Sequence, residues 1–343
     1  MTNLKGNLAT TAMGILPHKD LDKAQRLAMS VDIPFWPQLP KLNFFEDMYV
    51  QASEFFPGII LNLEEQRISF SIDKFYEELP QYIMEQENGN NLSLSEQYSV
   101  SYKNFLRQKD LDTYQTIRGQ IIGPVSFGLK ITDQTKTPII YHDEVRQLLF
   151  DFFAKKIQTQ YEELVAFNPN AFVWVDEPGL EMIFMAFTGY SSEQAKKDYQ
   201  QFLAQLPGPK GVHLCGNPDW SFLLDLDLDI LSIDVLQWGN IFTSYRQELE
   251  QYIKKGGIIS WGITPTLTEE VNEHNTDSLC NHLESLWKNV TDKTDVSIGE
   301  IVAQSWFAPA RCCLINSDGN KSVEQSFKLL KEISDRLKSK YLS

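Results

Sequence analysis

The sequence has few cysteines and no long apolar run. Four cysteines in 343 residues are too few for the disulfide framework of a small secreted protein. No apolar run approaches the roughly 18 residues that a membrane span needs. The first residues, MTNLKGNLATT, lack the apolar core of a signal peptide. We therefore expect a cytoplasmic protein with no membrane partner.

Positive charge is also scarce. The chain has 31 Lys and Arg against 46 Asp and Glu, which gives a formal net charge of −15. Because no basic stripe is visible that would neutralise phosphates, we expect no nucleic-acid partner. No GxGxxG or P-loop pattern follows any predicted strand, so the usual nucleotide-binding reason for a doubly wound open sheet is missing.

The chain does contain a repeated order of a short apolar run, a turn and a longer amphipathic segment. Strands are predicted at residues 9–16, 116–122, 171–176, 210–215, 229–234, 256–262 and 300–307. Helical spacing predicts helices at 144–167, 191–206 and 322–342. This order predicts an α/β fold, a (β/α)8 TIM barrel formed by residues 1–343 as a single catalytic domain, with a doubly wound sheet as the alternative. The stretch GIILNLEEQRISF predicts an inserted β-hairpin in the N-terminal third.

Histidines, acids and thiols collect where the predicted strands end, which is where barrel enzymes place their chemistry. The residues at these ends are His18, Asp176, Glu177, His213, Cys215, Asp234, Cys312 and Cys313. Ordinary structural strands do not demand such residues at their ends. We therefore regard this rim as the candidate site.

His213 and Cys215 have the spacing of two ligands on one strand. Side chains alternate along a strand, so these two point to the same face. A thiolate beside an imidazole favours Zn²⁺. Two ligands do not hold zinc, and the barrel would bring Asp234 and Cys312 to the same rim as the candidates to complete the site.

Each of these residues also has a structural interpretation. His213 could be a core histidine bonded to a backbone carbonyl, and Cys215 could be a small buried hydrophobe. Asp234 could cap the N-terminus of a helix that follows it. Asp176, Glu177 and Pro178 could simply end a strand. It is their joint occurrence at strand ends that favours a site.

Four sequence blocks resemble the superfamily of cobalamin-independent methionine synthase and uroporphyrinogen decarboxylase. The match is to the zinc-bearing catalytic barrel of the former, in a short single-barrel form. The blocks are TTAMGILPH (10–18), VDEPGL (175–180), VHLCG with the later DLDILSID (212–234) and APARCCL (308–314). They span nearly the whole chain.

The resemblance implies a zinc-dependent methyltransferase whose metal presents a thiol, typically homocysteine, as a thiolate for attack on a methyl group. It implies His213, Cys215, Asp234 and Cys312 as the zinc ligands. Asp176 corresponds to the acid that holds the ammonium group of the substrate. His18 lies in a loop where a histidine assists near the methyl donor. Weaker candidates for substrate contacts are Glu177 and the acidic pair Glu46 and Asp47.

Three departures from the family pattern leave the substrates open. The second barrel that helps to hold a folate is missing, which favours a methyl-corrinoid such as methylcobalamin, free or on a partner corrinoid protein, as donor. Asp234 stands where a Glu is usual, and its carboxylate reaches one methylene less. Cys313 follows Cys312 where the family has Gly, so either thiol could be the zinc ligand, and the alignment favours Cys312. Ile15 replaces a serine that contributes to amino-acid binding, which favours coenzyme M or another thiol as the alternative acceptor.

Two further alternatives differ in chemistry. The barrel could be a non-catalytic module that binds a corrinoid or a partner protein, an interpretation that the Ile15 and Asp234 departures favour. A metal-free porphyrin decarboxylase would need basic residues to hold propionates, whereas this rim is acidic and rich in thiols.

Overall fold

Nine strands occur in the computed structural model, which describes residues 4–184, 190–314 and 316–342. They are β1 (Ala9–Thr10), β2 (Ile59–Asn62), β3 (Arg67–Phe70), β4 (Arg118–Ile122), β5 (Phe172–Asp176), β6 (Lys210–Leu214), β7 (Ile230–Asp234), β8 (Ile258–Thr264) and β9 (Ser305–Pro309). Seven of them form one curled parallel sheet in the order β1-β9-β8-β7-β6-β5-β4, and β2 pairs with β3 in an antiparallel hairpin.

Helices flank the sheet. They are α1 (Leu21–Ala28), α2 (Met48–Ser53), α3 (Ile72–Glu87), α4 (Val100–Leu106), α5 (Pro124–Lys130), α6 (Asp143–Val165), α7 (Ser192–Gln205), α8 (Trp220–Asp225), α9 (Val235–Phe242), α10 (Arg246–Lys254), α11 (Thr268–Glu273), α12 (Thr276–Thr291), α13 (Ile298–Ala303) and α14 (Lys321–Tyr341). Among the described residues, none of these helices has both the length and the apolar character needed to cross a membrane.

Two hydrophobic clusters lie on opposite sides of the curled sheet. The larger one fills the space between the sheet and the helices. The smaller one consists of side chains that point to the inner face, namely Ala9, Met13, Ile33, Phe172, Trp174, Ile230, Ile258, Trp306 and Ala308. Both faces of the central strands are therefore buried, which explains why these strands read as continuous apolar runs in the sequence.

The segment IPFWPQLP lies between the two edge strands of the sheet, β1 and β4. The Ile33 amide donates to the Thr10 carbonyl (2.9 Å), and the Arg118 amide donates to the Pro34 carbonyl (3.0 Å). Three prolines in this segment have no N–H, so it cannot continue a regular ladder on either side. The expected (β/α)8 barrel is thus confirmed only as an α/β fold with a curled seven-stranded parallel sheet.

Most predicted elements are present, but two strands differ in extent. The strand expected over residues 9–16 covers only Ala9–Thr10, and another is wrong in its first half. The hairpin within GIILNLEEQRISF is confirmed by β2 and β3. Residues 300–307 were expected to form one strand, but α13 occupies Ile298–Ala303 and the strand begins only at Ser305. The reason is a capping box, in which Ser297 and Glu300 each bond the backbone N–H of the other and start a helix.

Candidate functional site

The candidate residues from β5, β6 and β7 lie side by side because the strands are parallel and in register. Asp176 at the end of β5 pairs with His213, and His213 pairs with Ser232 on β7. Cys215 follows β6 and Cys312 follows β9. The pKa of the half-buried Cys215 thiol is raised to about 12, first by burial and then by the charges of Cys312, Asp176 and Asp234. The Cys312, Asp176 and Asp234 side chains are therefore within electrostatic reach of Cys215.

Asp176 is oriented by its neighbour two residues earlier. Its Oδ1 accepts a hydrogen bond from Trp174 Nε1 at 2.9 Å. Burial raises the pKa of Asp176 to about 6, while the positive charge of Arg118 opposes the rise. Asp176 is thus a buried, oriented acid that a positively charged group would hold in its ionised form.

Arg118, which the sequence analysis missed, lies on the inner face of the sheet below Asp176. It is fully buried, and its guanidinium lies 4.1 Å from the ring centre of Trp174 and 4.9 Å from that of Phe35. Its Nε donates to Thr11 Oγ1 (3.0 Å) and its Nη1 to Gln120 Oε1 (2.9 Å). Nη2 is buried with no hydrogen-bond partner among the described residues. The inner face therefore carries a fixed positive charge.

The His213 ring is held by one hydrogen bond and by stacking on an indole. Nδ1 lies 3.0 Å from Ser232 Oγ, and the ring is stacked on Trp174 with an interplanar angle of 8°. Burial, helped by the charge of Arg118, lowers the pKa of His213 to about 3, so the imidazole is neutral. A neutral imidazole fixed through Nδ1 leaves Nε2 as the nitrogen that a metal could use.

The adjacent thiols of Cys312 and Cys313 occupy different environments. Cys313 is buried in the hydrophobic core, and its Sγ lies 3.9 Å from the Arg311 carbonyl. Cys312 is exposed, although the surrounding protein atoms still raise its pKa by reducing hydration. Of the two, Cys312 is the thiol that a ligand can reach.

Asp234 has structural partners on both carboxylate oxygens. Oδ1 accepts from the Gln237 amide (3.0 Å) at the N-terminus of α9, so Asp234 is the helix cap that the sequence allowed. Oδ2 lies 3.3 Å from Arg311 Nε. Burial raises the pKa of Asp234 to about 6.

The donors fit zinc in chemistry but are not arranged to hold it. Two thiols and an imidazole are ligands that Zn²⁺ prefers. Yet within the described ranges, no group of three or more His, Cys, Asp or Glu side chains stands in a metal-holding arrangement. One reason lies at Asp234, whose Oδ2 faces a guanidinium.

Glu177 holds the start of α5. Its carboxylate accepts from the Val125 amide (3.1 Å), the Ser126 amide (2.9 Å) and Ser126 Oγ, and the side chain is fully buried. Burial raises its pKa to about 7. All of these contacts are made with residues of α5, so Glu177 stabilises the start of that helix next to Asp176.

Glu46 stabilises the start of α4 in the same way, by accepting hydrogen bonds from residues around it. It accepts from Gln51 Nε2 (2.9 Å), Ser99 Oγ (3.0 Å) and the Ser101 amide (2.9 Å). The side chain is buried, and burial raises its pKa. The structure places Glu46 in the long segment between β1 and β4 and gives it structural partners.

His18 is buried, and its Nδ1 has no hydrogen-bond partner within the described structure. Burial lowers its pKa, and the charges that act on it come from Glu324, Asp20 and Lys23. The structure therefore places His18 beside the start of α14, and the prediction of a role near the methyl donor remains a prediction.

Tyr49 is a second residue that the sequence analysis missed. It belongs to α2, in the long segment between β1 and β4, and its ring stacks on Phe127 with the ring centres 6.3 Å apart. Its pKa is raised by burial and then by the charges of Glu177, Asp47, Asp176 and Cys215. The phenol of Tyr49 is thus within electrostatic reach of Asp176 and Cys215. This proximity depends on the fold and could not be seen in the sequence.

A solved structure with this fold is a methyltransferase from Methanosarcina mazei. It superposes with a TM-score of 0.57, covers 98% of this chain and 95% of that chain, and shares 13% of residues. At this identity the likeness shows the fold alone. No protein-family model and no curated protein matches the sequence.

Proposed function

We propose that the chain is a zinc-dependent methyltransferase that moves a methyl group from a methyl-corrinoid to a thiol, with homocysteine as the first candidate acceptor. The observation that supports this most is the cluster formed by Asp176, Cys215, Asp234 and Cys312 beside the fixed, neutral His213. The methyltransferase that shares the fold also supports it. We further infer that residues 33–38 take the eighth position of a (β/α)8 barrel.

In this proposal His213, Cys215 and Cys312 would hold zinc, and Asp234 would be a labile fourth ligand. Zinc, when bound, would stabilise a thiol substrate in its deprotonated form at neutral pH, and the corrinoid would supply the methyl group. The protein itself keeps the His213 imidazole neutral and oriented through Ser232 and Trp174.

Asp176 binds the ammonium group of an amino-acid thiol. Trp174 orients the Asp176 carboxylate, and an incoming ammonium favours its ionised form. The coenzyme M alternative is favoured by Ile15, which replaces the family serine. Its carbonyl accepts a hydrogen bond from the Cys313 amide (3.4 Å), which places Ile15 beside the backbone of the Cys312–Cys313 pair. A thiol without an amino group would not need Asp176.

The test is metal analysis followed by a methylcobalamin assay. We expect about one zinc per wild-type chain, loss of zinc in Cys215→Ser, and retention in the control Cys280→Ser, whose thiol is buried in α12. Asp176→Asn should raise the KM for homocysteine and leave the KM for coenzyme M unchanged. A zinc-free wild type, or zinc retained in Cys215→Ser, would end the proposal, while zinc without turnover on any thiol would favour the non-catalytic module.

A further inference from the structure

Tyr49 carries a hydroxyl that has no hydrogen-bond partner among the described residues. The residue is half-buried in the first turn of α2, where its backbone amide donates to Asp47 Oδ1 at 2.8 Å. Its ring stacks on Phe127 with an interplanar angle of 25°. The phenols of Tyr76 and Tyr102, in contrast, donate to glutamate side chains. The ring of Tyr49 is therefore fixed, while its hydroxyl is available to a ligand.

The contact with Phe127 places Tyr49 beside the carboxyl end of β5. Phe127 belongs to α5, which begins soon after β4. The backbone amide of Gly123, the residue before this helix, donates to the Asp176 carbonyl at 2.8 Å. The Phe127 amide in turn donates to the Gly123 carbonyl at 2.9 Å. This short path from Tyr49 to Asp176 agrees with the electrostatic reach between the phenol and both Asp176 and Cys215.

The Tyr49 phenol is a neutral hydrogen-bond donor in acidic surroundings. Burial, and then the charge of Glu177, raise the pKa of Tyr49, so the hydroxyl keeps its proton at neutral pH. Arg118, the cation below Asp176, is completely buried and so does not face a ligand at the rim. The hydroxyl of Tyr49 is thus a donor that the rim offers to an anionic group.

An α-amino acid carries two opposite charges on one carbon atom. When Asp176 holds the ammonium group, the carboxylate lies close by and needs a donor rather than a further acid. Tyr49 combines an unused donor with a position beside Asp176. We propose that Tyr49 is a substrate-binding residue that donates a hydrogen bond to the carboxylate of an amino-acid thiol. This inference rests on the proposed function for the thiol and for the role of Asp176, and it requires no metal.

The substitution Tyr49→Phe removes the hydroxyl and keeps the ring on Phe127. Because the hydroxyl has no partner in the described structure, the variant should unfold at the same denaturant concentration as the wild type. Loss of a hydrogen bond to a charged group should weaken binding of the amino acid about tenfold. In turnover we expect the KM for homocysteine to rise about tenfold with little change in kcat, because the bond is made equally before and during methyl transfer.

Isothermal titration calorimetry on the full chain tests the inference with two probes. L-methionine carries both charged groups, methylthiopropylamine lacks only the carboxylate, and neither has a free thiol that would need a metal. We expect Tyr49→Phe to weaken methionine binding about tenfold and to leave binding of the amine unchanged, whereas Asp176→Asn should weaken both. Tyr76→Phe is the matched control, because the Tyr76 hydroxyl bonds Glu144 on the exposed surface and its loss should affect neither probe.

The outcomes separate this inference from the proposed function. If the wild type methylates homocysteine and Tyr49→Phe keeps both the KM and the methionine affinity, the function stands and the role of Tyr49 is wrong. Equal weakening of both probes in Tyr49→Phe, or failure of this variant to fold, also overturns the role, because the hydroxyl would then serve the fold. Methionine binding that depends on Tyr49 and Asp176, without methylation of any thiol, supports the inference and overturns the function. A wild type that neither binds methionine nor methylates a thiol overturns both.

Discussion

Replacement of Glu177 by alanine tests whether this acid serves the fold or the substrate. The structure gives its carboxylate three donors at the start of α5, the amides of Val125 and Ser126 and the Ser126 hydroxyl. If Glu177 only touched a substrate, the variant would lose activity and keep its stability. If it holds α5, the variant must lose stability as well.

The magnitude follows from the donors that would lose their partner. An unsatisfied buried donor costs about 1–3 kcal/mol, so three of them cost about 3–6 kcal/mol after partial relaxation. The carboxyl is itself costly to bury when ionised. Its pKa of about 7, against an ordinary 4.5, corresponds to about 3 kcal/mol of unfolding free energy. Subtracting this burial cost from the cost of the unsatisfied donors leaves about 0–3 kcal/mol, so we expect Glu177→Ala to lower the free energy of unfolding by about 1–2 kcal/mol at neutral pH.

The effect should depend on pH with a definite sign. Because the pKa is raised in the folded protein, the stability that protonated Glu177 contributes is fully present below pH 4.5 and is lost as the pH rises through about 7. The stability difference between the wild type and Glu177→Ala should therefore be larger at pH 6 than at pH 8.

Denaturant unfolding followed by circular dichroism measures this difference. The matched control is Glu193→Ala, an exposed acid in the first turn of α7, which should change stability by less than about 0.5 kcal/mol. A Glu177→Ala variant that unfolds at the same denaturant concentration as the wild type would refute the anchoring role and return Glu177 to the substrate candidates.

Two other variants follow from the same kind of reasoning. Gly123→Ala would place a Cβ against the Glu177 carboxyl, so it should destabilise the protein by about 2 kcal/mol or more. A Cβ at Gly299 in α13 would meet only Ser297 Oγ, at an ordinary van der Waals distance of 3.9 Å, so Gly299→Ala should be neutral or stabilising. Thermal unfolding compares the two variants. Glu46→Ala should lower the free energy of unfolding by about 3 kcal/mol, because the Gln51, Ser99 and Ser101 donors lose their acceptor. Equal denaturation midpoints for the variant and the wild type would contradict this expectation.

The sequence predicted the central strands well because each is an apolar run buried on both faces. It also predicted the hairpin, whose two short runs flank a polar turn. The sequence could not predict that the segment IPFWPQLP lies between β1 and β4. Its three prolines interrupt any strand pattern, and only its backbone contacts with these two strands show its position. It mistook the start of α13 for a strand, because Ile301 and Val302 favour strands and the capping box was overlooked.

The candidate site was predictable in its residue types and not in its contacts. Strand ends indicated Asp176, His213 and Cys215, because register alone brings the ends of parallel strands together. The pairing of Arg311 with Asp234 depends on how the loop after β9 meets α9 and α11, and no spacing along the chain encodes that distance. Arg118 was missed for another reason. An arginine in an apolar strand is expected to be exposed, and only the structure shows that its guanidinium lies over the rings of Phe35 and Trp174.

The proline-rich segment at residues 33–38 also bears on how the molecule avoids association with its own copies. The edges of a β-sheet present unpaired amides and carbonyls to which a strand of another chain can add. Here β1 and β4 direct backbone groups to a segment with Pro34 and Pro37, which has few amides left to offer. Even if the segment detached briefly, it would be a poor template for a further strand. We expect this seam to resist growth into aggregates as long as the segment stays in place over the two edges.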